Sequence, residues 1–195
     1  MNKNRMTWWA IGCACTLLAA CHSAPTRVYT LETTAPAARM ETYQAPALRV
    51  DALSVPAGWD RIEILSPSAA GRLQISDFDH WSAPLAQIAR QALSADLGQR
   101  LPSGSVIYPR LPKPGGALGV NVDILEFSIV GSNASMQASW VITPAAGSQS
   151  AKRNEALLHD SMTSTDPAAV ARAWSELIGQ LADGIAADAA SLKRP

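Results

Sequence analysis

The clearest alternation of hydrophobic and polar residues in this chain runs through residues 134–143. Apolar side chains occupy every second position there, and mainly serine, glutamine and threonine stand between them. A period of two predicts a β-strand with one buried face and one solvent-facing face. Strands are also predicted over residues 118–129 and near residues 155–163, with turns at Gly131 and at residues 145–150. We expect these three strands to form an antiparallel meander.

Shorter segments with β-type patterns precede the meander. The alternation over residues 47–56 predicts a strand, and its phase slips between Ala52 and Leu53. Such a slip indicates a bulge or a buried strand end. The apolar set changes phase again within the first meander strand, from even positions up to Ile124 to odd positions from Leu125. Further short strands are predicted at residues 62–65, 72–76 and 105–109.

Two segments instead place apolar residues three or four positions apart, which is the period of an amphipathic α-helix. The first helix can be capped by Asp79 or Ser82, has Pro84 in its first turn and ends at Pro102. The second is the last element of the chain, and Asp166, followed by a proline, is a good N-cap for it. The apolar stripes are Leu85, Ile88, Ala89, Ala92, Leu97 and Leu101 in the first helix and Val170, Trp174, Leu177, Leu181 and Ile185 in the second.

The order strands, helix, strands, helix predicts an α+β domain. Its sheet should be mixed and largely antiparallel, with both amphipathic helices packed on one face. We assign this single domain to residues 47–195. Residues 21–46 are rich in Ala, Pro and Thr and predict a flexible tether. Within them, residues 27–31 have β-branched and aromatic side chains in a row, so they form either a short strand that docks on the sheet or an apolar piece of linker.

The first twenty residues have the layout of a secretory signal. Lys3 and Arg5 precede an apolar run at residues 8–20, which is shorter than the ~20 residues of a membrane-spanning helix. The tetrapeptide Leu18-Ala19-Ala20-Cys21 is similar to the bacterial lipobox, whose cysteine takes a diacylglycerol and becomes the first residue of the mature chain. We therefore predict a signal peptide over residues 1–20 and lipidation at Cys21. The alternative is an ordinary secretory signal in which the cysteine falls near the cleavage site by chance.

Charge and cysteine content narrow the range of functions. The chain has 16 basic and 16 acidic residues, and loss of Lys3 and Arg5 with the signal leaves a charge of −2. This balance gives no electrostatic support for binding nucleic acid or an anionic membrane surface. Cys13 and Cys15 also leave with the signal, so Cys21 is the only cysteine of the mature chain and no disulfide is predicted within it. An apolar core must therefore stabilise the domain.

The sequence contains no motif for catalysis or for a cofactor. His22, His80 and His159 have no ligand-like spacing with one another, with cysteine or with carboxylates. Neither a Gly-x-Ser-x-Gly elbow nor a P-loop or dinucleotide fingerprint occurs. Asp77 and Asp79 lie close together but precede a predicted helix, where acidic residues serve as caps. We therefore predict a protein that is not an enzyme and that uses no metal or cofactor.

Four tryptophans remain in the mature chain, and their positions differ in character. Trp140 and Trp174 lie on predicted apolar faces, so we assign them to the core. Trp59 lies in a turn and Trp81 at a predicted helix start, and each is a candidate for a partner interface. Burial over the sheet edge is the alternative for Trp59, which lies in the turn. The adjacent pair Asp60–Arg61 either interacts locally in the turn or belongs to the same interface.

Taken together, these residues resemble the ABC-type transport auxiliary lipoproteins, the family of paraquat-inducible protein C. Members typically show Tyr-Thr-Leu after the lipidated cysteine, as at residues 29–31. A Val-Pro then precedes an Asp-Arg pair, as at residues 55–56 and 60–61. A Trp shortly before Pro-Leu opens a helix, matched here by Trp81 and residues 84–85. The chain departs from the pattern at Gly58-Trp59, where Tyr-Leu is usual, at Ile62-Glu63, where Pro-Gln is common, and at Ala83, where Glu is frequent.

The resemblance implies a non-catalytic lipoprotein that binds and docks the MCE-domain periplasmic protein of an ABC-type lipid transport system between the inner and outer membranes. It offers no catalytic residue to carry over. His22 follows Cys21, in place of the aspartate that commonly retains bacterial lipoproteins at the inner membrane, so we predict the periplasmic face of the outer membrane. Two alternatives stay open: a lipid-anchored envelope hydrolase, and a structural or assembly lipoprotein of another envelope machine. The sequence also leaves a homo-oligomer possible.

Overall fold

A computed structural model describes residues 24–36, 38–68, 72–144 and 151–192 of the chain. These residues form two mixed, mostly antiparallel sheets and two helices, so the predicted α+β class is confirmed, with two sheets in place of one. In chain order the elements are β1 (Arg27–Tyr29), β2 (Leu48–Ser54), β3 (Glu63–Pro67), β4 (Leu73–Trp81), α1 (Leu85–Arg100), β5 (Leu118–Val130), β6 (Asn133–Thr143), β7 (Lys152–Ser161) and α2 (Pro167–Ala190).

The larger sheet has the strand order β2–β5–β6–β7. β2 pairs in parallel with β5, whereas β5, β6 and β7 form the predicted antiparallel meander. The period of two in β6 is realised as predicted, because its alternate apolar side chains are all buried and both helices pack on the larger sheet. These buried residues are Ala134, Met136, Ala138, Trp140 and Ile142.

Both predicted phase changes coincide with irregularities in strand pairing. The register of β2 against β5 shifts between Val50 and Ala52, just before the predicted slip. The register of β5 against β6 shifts between Ile124 and Glu126. An inserted residue reverses the alternation of side chains, so the apolar residues on both sides of it can face the core. Ile124 and Phe127 are accordingly buried, while the inserted Leu125 is 45% exposed.

The smaller sheet has the order β1–β4–β3. β1 pairs in parallel with β4, and β3 pairs with β4 in the antiparallel sense. β4 continues to Trp81, beyond the predicted end at Ser76. Asp77 and Asp79 therefore lie within a strand, and the prediction that they cap the following helix is wrong. The pairing of β3 and β4 is irregular between Ile75 and His80, and this irregularity removes the period of two that would have revealed the strand.

Residues 105–109 do not form the predicted strand. Val106 makes only an isolated parallel bridge with Leu48. The Leu48 N–H donates to the Ser105 carbonyl at 2.8 Å, and the Leu48 carbonyl accepts from the Ile107 N–H at 2.8 Å. Pro109 has no backbone N–H, so the ladder cannot continue past it. The short pairing nevertheless covers an edge of β2 that would otherwise expose its backbone.

Three aromatic side chains form the centre of the core. The ring of Trp174, fully buried in α2, stacks on Phe127 with centroids 4.2 Å apart and an interplanar angle of 20°. Trp59 meets both rings edge-on, at 4.7 Å from Phe127 and 6.2 Å from Trp174. Trp140 is also buried, and its indole N–H donates to Asp188 at 2.9 Å. The prediction that Trp140 and Trp174 belong to the core is confirmed.

The two helices begin in different ways. α2 has the predicted cap, because the Asp166 carboxylate accepts from the Ala169 N–H at 2.8 Å and a proline occupies the first turn. α1 has no cap from Ser82 or from Asp79, so that prediction is wrong. Its first turn is instead capped from a distance: the Asp60 carboxylate accepts from the Ala86 N–H at 3.1 Å. The turn that carries Asp60 is thereby tied to the start of α1.

Substitution of Asp60 by alanine should lower the free energy of unfolding by about 1 kcal/mol, because an N–H of the first turn of α1 loses its acceptor. Ser82→Ala is the matched control and should change stability by less than about 0.5 kcal/mol, since Ser82 is exposed. Urea denaturation of both variants measures the difference. Equal effects would show that Asp60 is not the cap.

The predicted tether is largely part of the folded domain. We call residues 30–36 and 38–46 the N-terminal strap. Leu31 and Ala45 of the strap are buried, and its Met40 N–H donates to the Arg100 carbonyl at the end of α1 at 2.8 Å. The folded unit therefore starts at β1 and not at residue 47, since β1 completes the smaller sheet. The sequence does not predict this folded segment, because an extended strap rich in alanine and proline packs on the domain without any hydrophobic periodicity.

Candidate functional site

The turn before β3 holds three of the four predicted interface residues. The N–H groups of Trp59 and Asp60 both donate to the Pro56 carbonyl, at 2.8 and 3.2 Å. This tight turn directs the Trp59 indole inward, where it is 8% exposed and contacts the aromatic core. Trp59 therefore cannot offer its ring to a partner, and its prediction as an interface residue is corrected.

Trp81 is likewise buried. It is the last residue of β4, only 3% exposed, and its backbone N–H donates to the Ile62 carbonyl at 2.6 Å. The helix it was expected to open begins four residues later, at Leu85. Burial, the alternative given for Trp59, is what the structure shows for Trp59, and Trp81 is buried as well.

Asp60 and Arg61 are the accessible members of the predicted interface. Asp60 is exposed apart from its contact with α1, and the side chain of Arg61 is 35% exposed. The Arg61 guanidinium donates to the Glu63 carboxylate at 2.9 Å, and this hydrogen bond lowers the pKa of Glu63. Both residues therefore have structural partners within the chain and still present polar atoms to solvent.

An ionic cluster joins β1 to β4. The buried Asp79 carboxylate accepts from Arg27 at two nitrogens, Nε at 2.6 Å and Nη2 at 2.8 Å. It also accepts from the Tyr29 hydroxyl at 3.0 Å and from Ser76 Oγ at 2.6 Å. The hydrogen bond from Arg27 is the main reason why the pKa of Asp79 falls to about 2. The cluster holds the first strand of the domain in place.

The low pKa of Asp79 predicts a contribution to stability that depends on pH. The contribution is complete above the pKa of an unfolded aspartate, near ~4, and is lost as the pH falls toward about 2. We expect the difference in unfolding free energy between wild type and Asp79→Asn to be largest near neutral pH and to shrink below about pH 4. Asp77→Asn, an exposed position on the same strand, is the control. A difference independent of pH would contradict this role of Asp79.

A second ionic cluster lies between the helices and the strap. Arg100 is 2% exposed, and its Nε donates to Asp183 of α2 at 2.6 Å while Nη1 donates to Asp96 at 3.2 Å. Asp96 also accepts from the Thr34 backbone N–H at 2.8 Å, and Nη2 of Arg100 donates to Thr34 Oγ1 at 3.3 Å. Burial raises the pKa of Asp96. Both helices and the strap therefore share one buried guanidinium.

Gly179 of α2 permits this close approach. A Cβ atom at this position would overlap Thr34 Oγ1 and lie 3.2 Å from Arg100 Nη2. The Glu32 N–H, nearby in the strap, donates to Ser175 Oγ at 3.1 Å, one helical turn earlier on α2. The strap thus follows a surface of α2 made of small residues.

Sequence reasoning missed this second cluster. Asp96 and Arg100 stand four residues apart on α1, a spacing that brings their side chains together. They also flank Leu97, which belongs to the predicted apolar stripe. An acid and a base at this spacing beside a buried stripe are the available signal for a buried ion pair. The third member, Asp183, carries no such signal because it reaches the pair only through tertiary packing.

Two grooves adjoin the ionic clusters. One, of about 580 Å³, separates β1 and the strap from the first turns of α2. Thr and Ala make up half of its lining, and the other lining residues are Val28, Tyr29, Glu32, Arg172, Ser175 and Glu176. The other, of about 530 Å³, lies between β4 and the start of α2 and contains the carboxylates of Asp79 and Asp166. Both carboxylates are already engaged, one by Arg27 and the other by the first turn of α2. Neither groove is lined by histidine or cysteine.

The remaining candidates for chemistry lie apart from one another. His80 is half-buried on β4 and His159 is exposed on β7. Within the described part of the chain, no three histidine, cysteine or acidic residues come together as a group able to hold a metal ion. Among these same residues, no helix is both long and apolar enough to span a membrane. Cys21 and His22 lie outside the described residues.

The chain is similar to one family of proteins and to two solved structures. A family model described as ABC-type transport auxiliary lipoprotein component matches residues 29–186. One similar crystal structure, of an uncharacterized protein, is 17% identical, with a TM-score of 0.66 over 85% of this chain and 99% of that chain. Another, of a Xanthomonas campestris protein assigned to DUF330, is 15% identical, with a TM-score of 0.59 over 82% and 92%. At these identities the likeness shows the fold alone. No curated protein matches the chain significantly.

Proposed function

Because the chain belongs to the family of ABC-type transport auxiliary lipoprotein components, we propose that it is a non-catalytic outer-membrane lipoprotein that docks the MCE-domain periplasmic part of a lipid transport system. The family match supports this proposal, since it runs from Tyr29, the first residue of the family-like Tyr-Thr-Leu sequence, through most of α2. The family is described as an auxiliary lipoprotein component of transport and is not a known enzyme family. Its members are lipid-anchored envelope proteins associated with an ABC transporter.

The lipid anchor is assigned to Cys21. The Leu-Ala-Ala-Cys sequence supports it, and so does the absence of any other cysteine from the mature chain. His22 after the cysteine supports sorting to the outer membrane. Mass spectrometry of the mature protein should find an acylated Cys21 as the first residue, and membrane fractionation should place the protein with the outer membrane. A first residue other than Cys21, or a location mainly in the inner membrane, would overturn these assignments.

The role of the folded domain is recognition, and the role of the lipid is placement. An anchor confines the domain to one membrane and raises its effective concentration for a partner that reaches across the periplasm, without adding a contact. Among the predicted interface residues, Asp60 and Arg61 are accessible, and we propose them as part of the contact with the MCE protein. The sequence has no nucleotide-binding motif, so ATP hydrolysis is assigned to another subunit.

A pulldown with the purified MCE protein, in detergent, tests this division of roles. Secreted Cys21→Ser protein should bind as the lipidated chain does, although it should lose most transport-related function in cells. Arg61→Ala should weaken binding, whereas Arg153→Ala, at an exposed arginine on β7, should not. Absence of binding by the wild type would overturn the proposed partner. Loss of binding by Cys21→Ser, or equal binding by the two arginine variants, would overturn the division between anchor and turn.

A further inference from the structure

Exposed apolar side chains are concentrated on two neighbouring strands. Among the described residues, β1 and β4 together carry four of the ten large apolar side chains that are strongly exposed. We call these four the β1–β4 patch. They are Val28 at 65%, Leu73 and Ile75 at 48% each, and Phe78 at 41%. Scattered apolar residues on a surface need no explanation, but a concentration of them on one small sheet does.

The strand register explains why Val28 is exposed. Val28 pairs directly with His80, so the two side chains lie on the same face of the sheet. Asp79 and Trp81, on either side of His80, are both buried, so the face that carries Val28 is the outer one. Phe78 lies within the irregular part of β4, between Ile75 and His80, and is exposed there. Within the described part of the chain, Val28 and Phe78 are therefore left exposed on this sheet.

The anchored end of the chain approaches the domain at this patch. β1 runs parallel to β4 with Arg27 opposite Asp79, so the chain that precedes Arg27 comes from the side of Phe78 and Ile75. Six residue steps separate Cys21 from Arg27, and a fully extended chain of that length spans about 20 Å. A folded domain of this size is roughly 40 Å across. The connection is therefore shorter than the width of the domain. The domain cannot rotate so far that β1 lies on the side opposite the lipid.

From this geometry we infer that the β1–β4 patch lies against the membrane that holds the lipid of Cys21. The inference rests on the proposed lipidation of Cys21. Apolar side chains enter the boundary between headgroups and acyl chains without requiring a basic surface, in agreement with the near-neutral charge of the chain. The anchor also makes the contact intramolecular, so a patch of four side chains needs little affinity of its own.

Fluorescence quenching in vesicles tests this contact. The full lipidated chain is reconstituted in phosphatidylethanolamine and phosphatidylglycerol with a fraction of lipids that carry a nitroxide on the acyl chain. Acylation occupies the Cys21 thiol, so a cysteine introduced by Phe78→Cys is the only free thiol and takes an environment-sensitive dye. The control is Leu157→Cys on β7, since Leu157 is 62% exposed and pairs with Gln137 on the solvent-facing side of β6. Mass spectrometry first establishes that Cys21 is acylated.

We expect the dye at position 78 to be quenched about twofold or more relative to vesicles without nitroxide, and the dye at position 157 to be unaffected. With the dye at Ile75→Cys, replacement of both Val28 and Phe78 by serine should reduce the quenching. These variants should bind the MCE protein in detergent as wild type does, which separates this test from that of the proposed function. Equal quenching at positions 78 and 157, or protection of position 78 only by the added MCE protein, would overturn the inference.

Discussion

Replacement of Trp174 by alanine is expected to lower the free energy of unfolding by about 3–5 kcal/mol. The side chain is fully buried and in ring contact with Phe127 and Trp59, so its removal leaves a cavity bordered by three elements of the fold. Folded domains are stable by only about 5–15 kcal/mol, so the loss is a large part of the total. Urea denaturation followed by far-UV circular dichroism measures the change.

Leu157→Ala is the matched control for Trp174→Ala. Leu157 is apolar but 62% exposed, and its loss should change stability by less than about 0.5 kcal/mol. The contact with Phe127 can be isolated by a double-mutant cycle, in which Phe127→Ala and Trp174→Ala should destabilise less together than the sum of their separate effects. A Trp174→Ala variant as stable as the Leu157→Ala control would show that the aromatic cluster is not the centre of the core.

A chain that starts at residue 47 should lose at least about 5 kcal/mol of stability and be largely unfolded at 25 °C. Such a truncation removes Leu31 from the core and Arg27 from the buried Asp79, which leaves an uncompensated carboxylate. It also takes Thr34 away from the cluster of Asp96 and Arg100. Circular dichroism and urea denaturation compare this chain with one that starts at residue 24.

The longer chain keeps β1 and the strap, so we expect it to unfold with the stability of the full mature domain. Arg27→Ala combined with Thr34→Ala in that chain tests the two ionic contacts without removing any backbone. This double variant should be destabilised by only part of the amount that truncation costs, because Leu31 stays buried. Cooperative folding of the chain from residue 47, with unchanged stability, would show that the strap is a passive tether after all.

The sequence was sufficient wherever periodicity persisted over many residues. β6 alternates apolar and polar residues without interruption. α2 has an apolar stripe from Val170 to Ile185 and a capping Asp166 before its first residue. The sequence therefore predicts both elements close to their observed extent. A long, regular segment repeats the same spacing of apolar residues many times, so a single exception does not remove the periodicity. The bulge at Leu125 was visible for the same reason, since regular alternation lies on both sides of it.

Tertiary partners decided the remaining elements and residues. β4 pairs irregularly and therefore shows no alternation, and β1 has only three residues and is stabilised by Asp79, which lies 52 positions later. Trp59 was ambiguous because a turn directs a side chain inward or outward according to packing that the turn sequence does not specify. In the second ionic cluster, Arg100 contacts residues of two distant segments, Thr34 and Asp183. Local sequence patterns do not predict contacts between segments that far apart in the chain.

The strap has a consequence for the order in which this protein folds. Its backbone contacts are among the least local in the chain: the Glu32 amide bonds to Ser175, 143 positions away, and the Thr34 amide to Asp96, 62 positions away. Contacts between distant segments form late, because the entropy of closing the long loop must be overcome before they contribute. If the predicted signal peptide directs export, the amino-terminal residues cross the inner membrane first, and their partners in α2 follow only when most of the chain has emerged. Under the proposed lipidation of Cys21, the end that is anchored first is therefore the end that folds last.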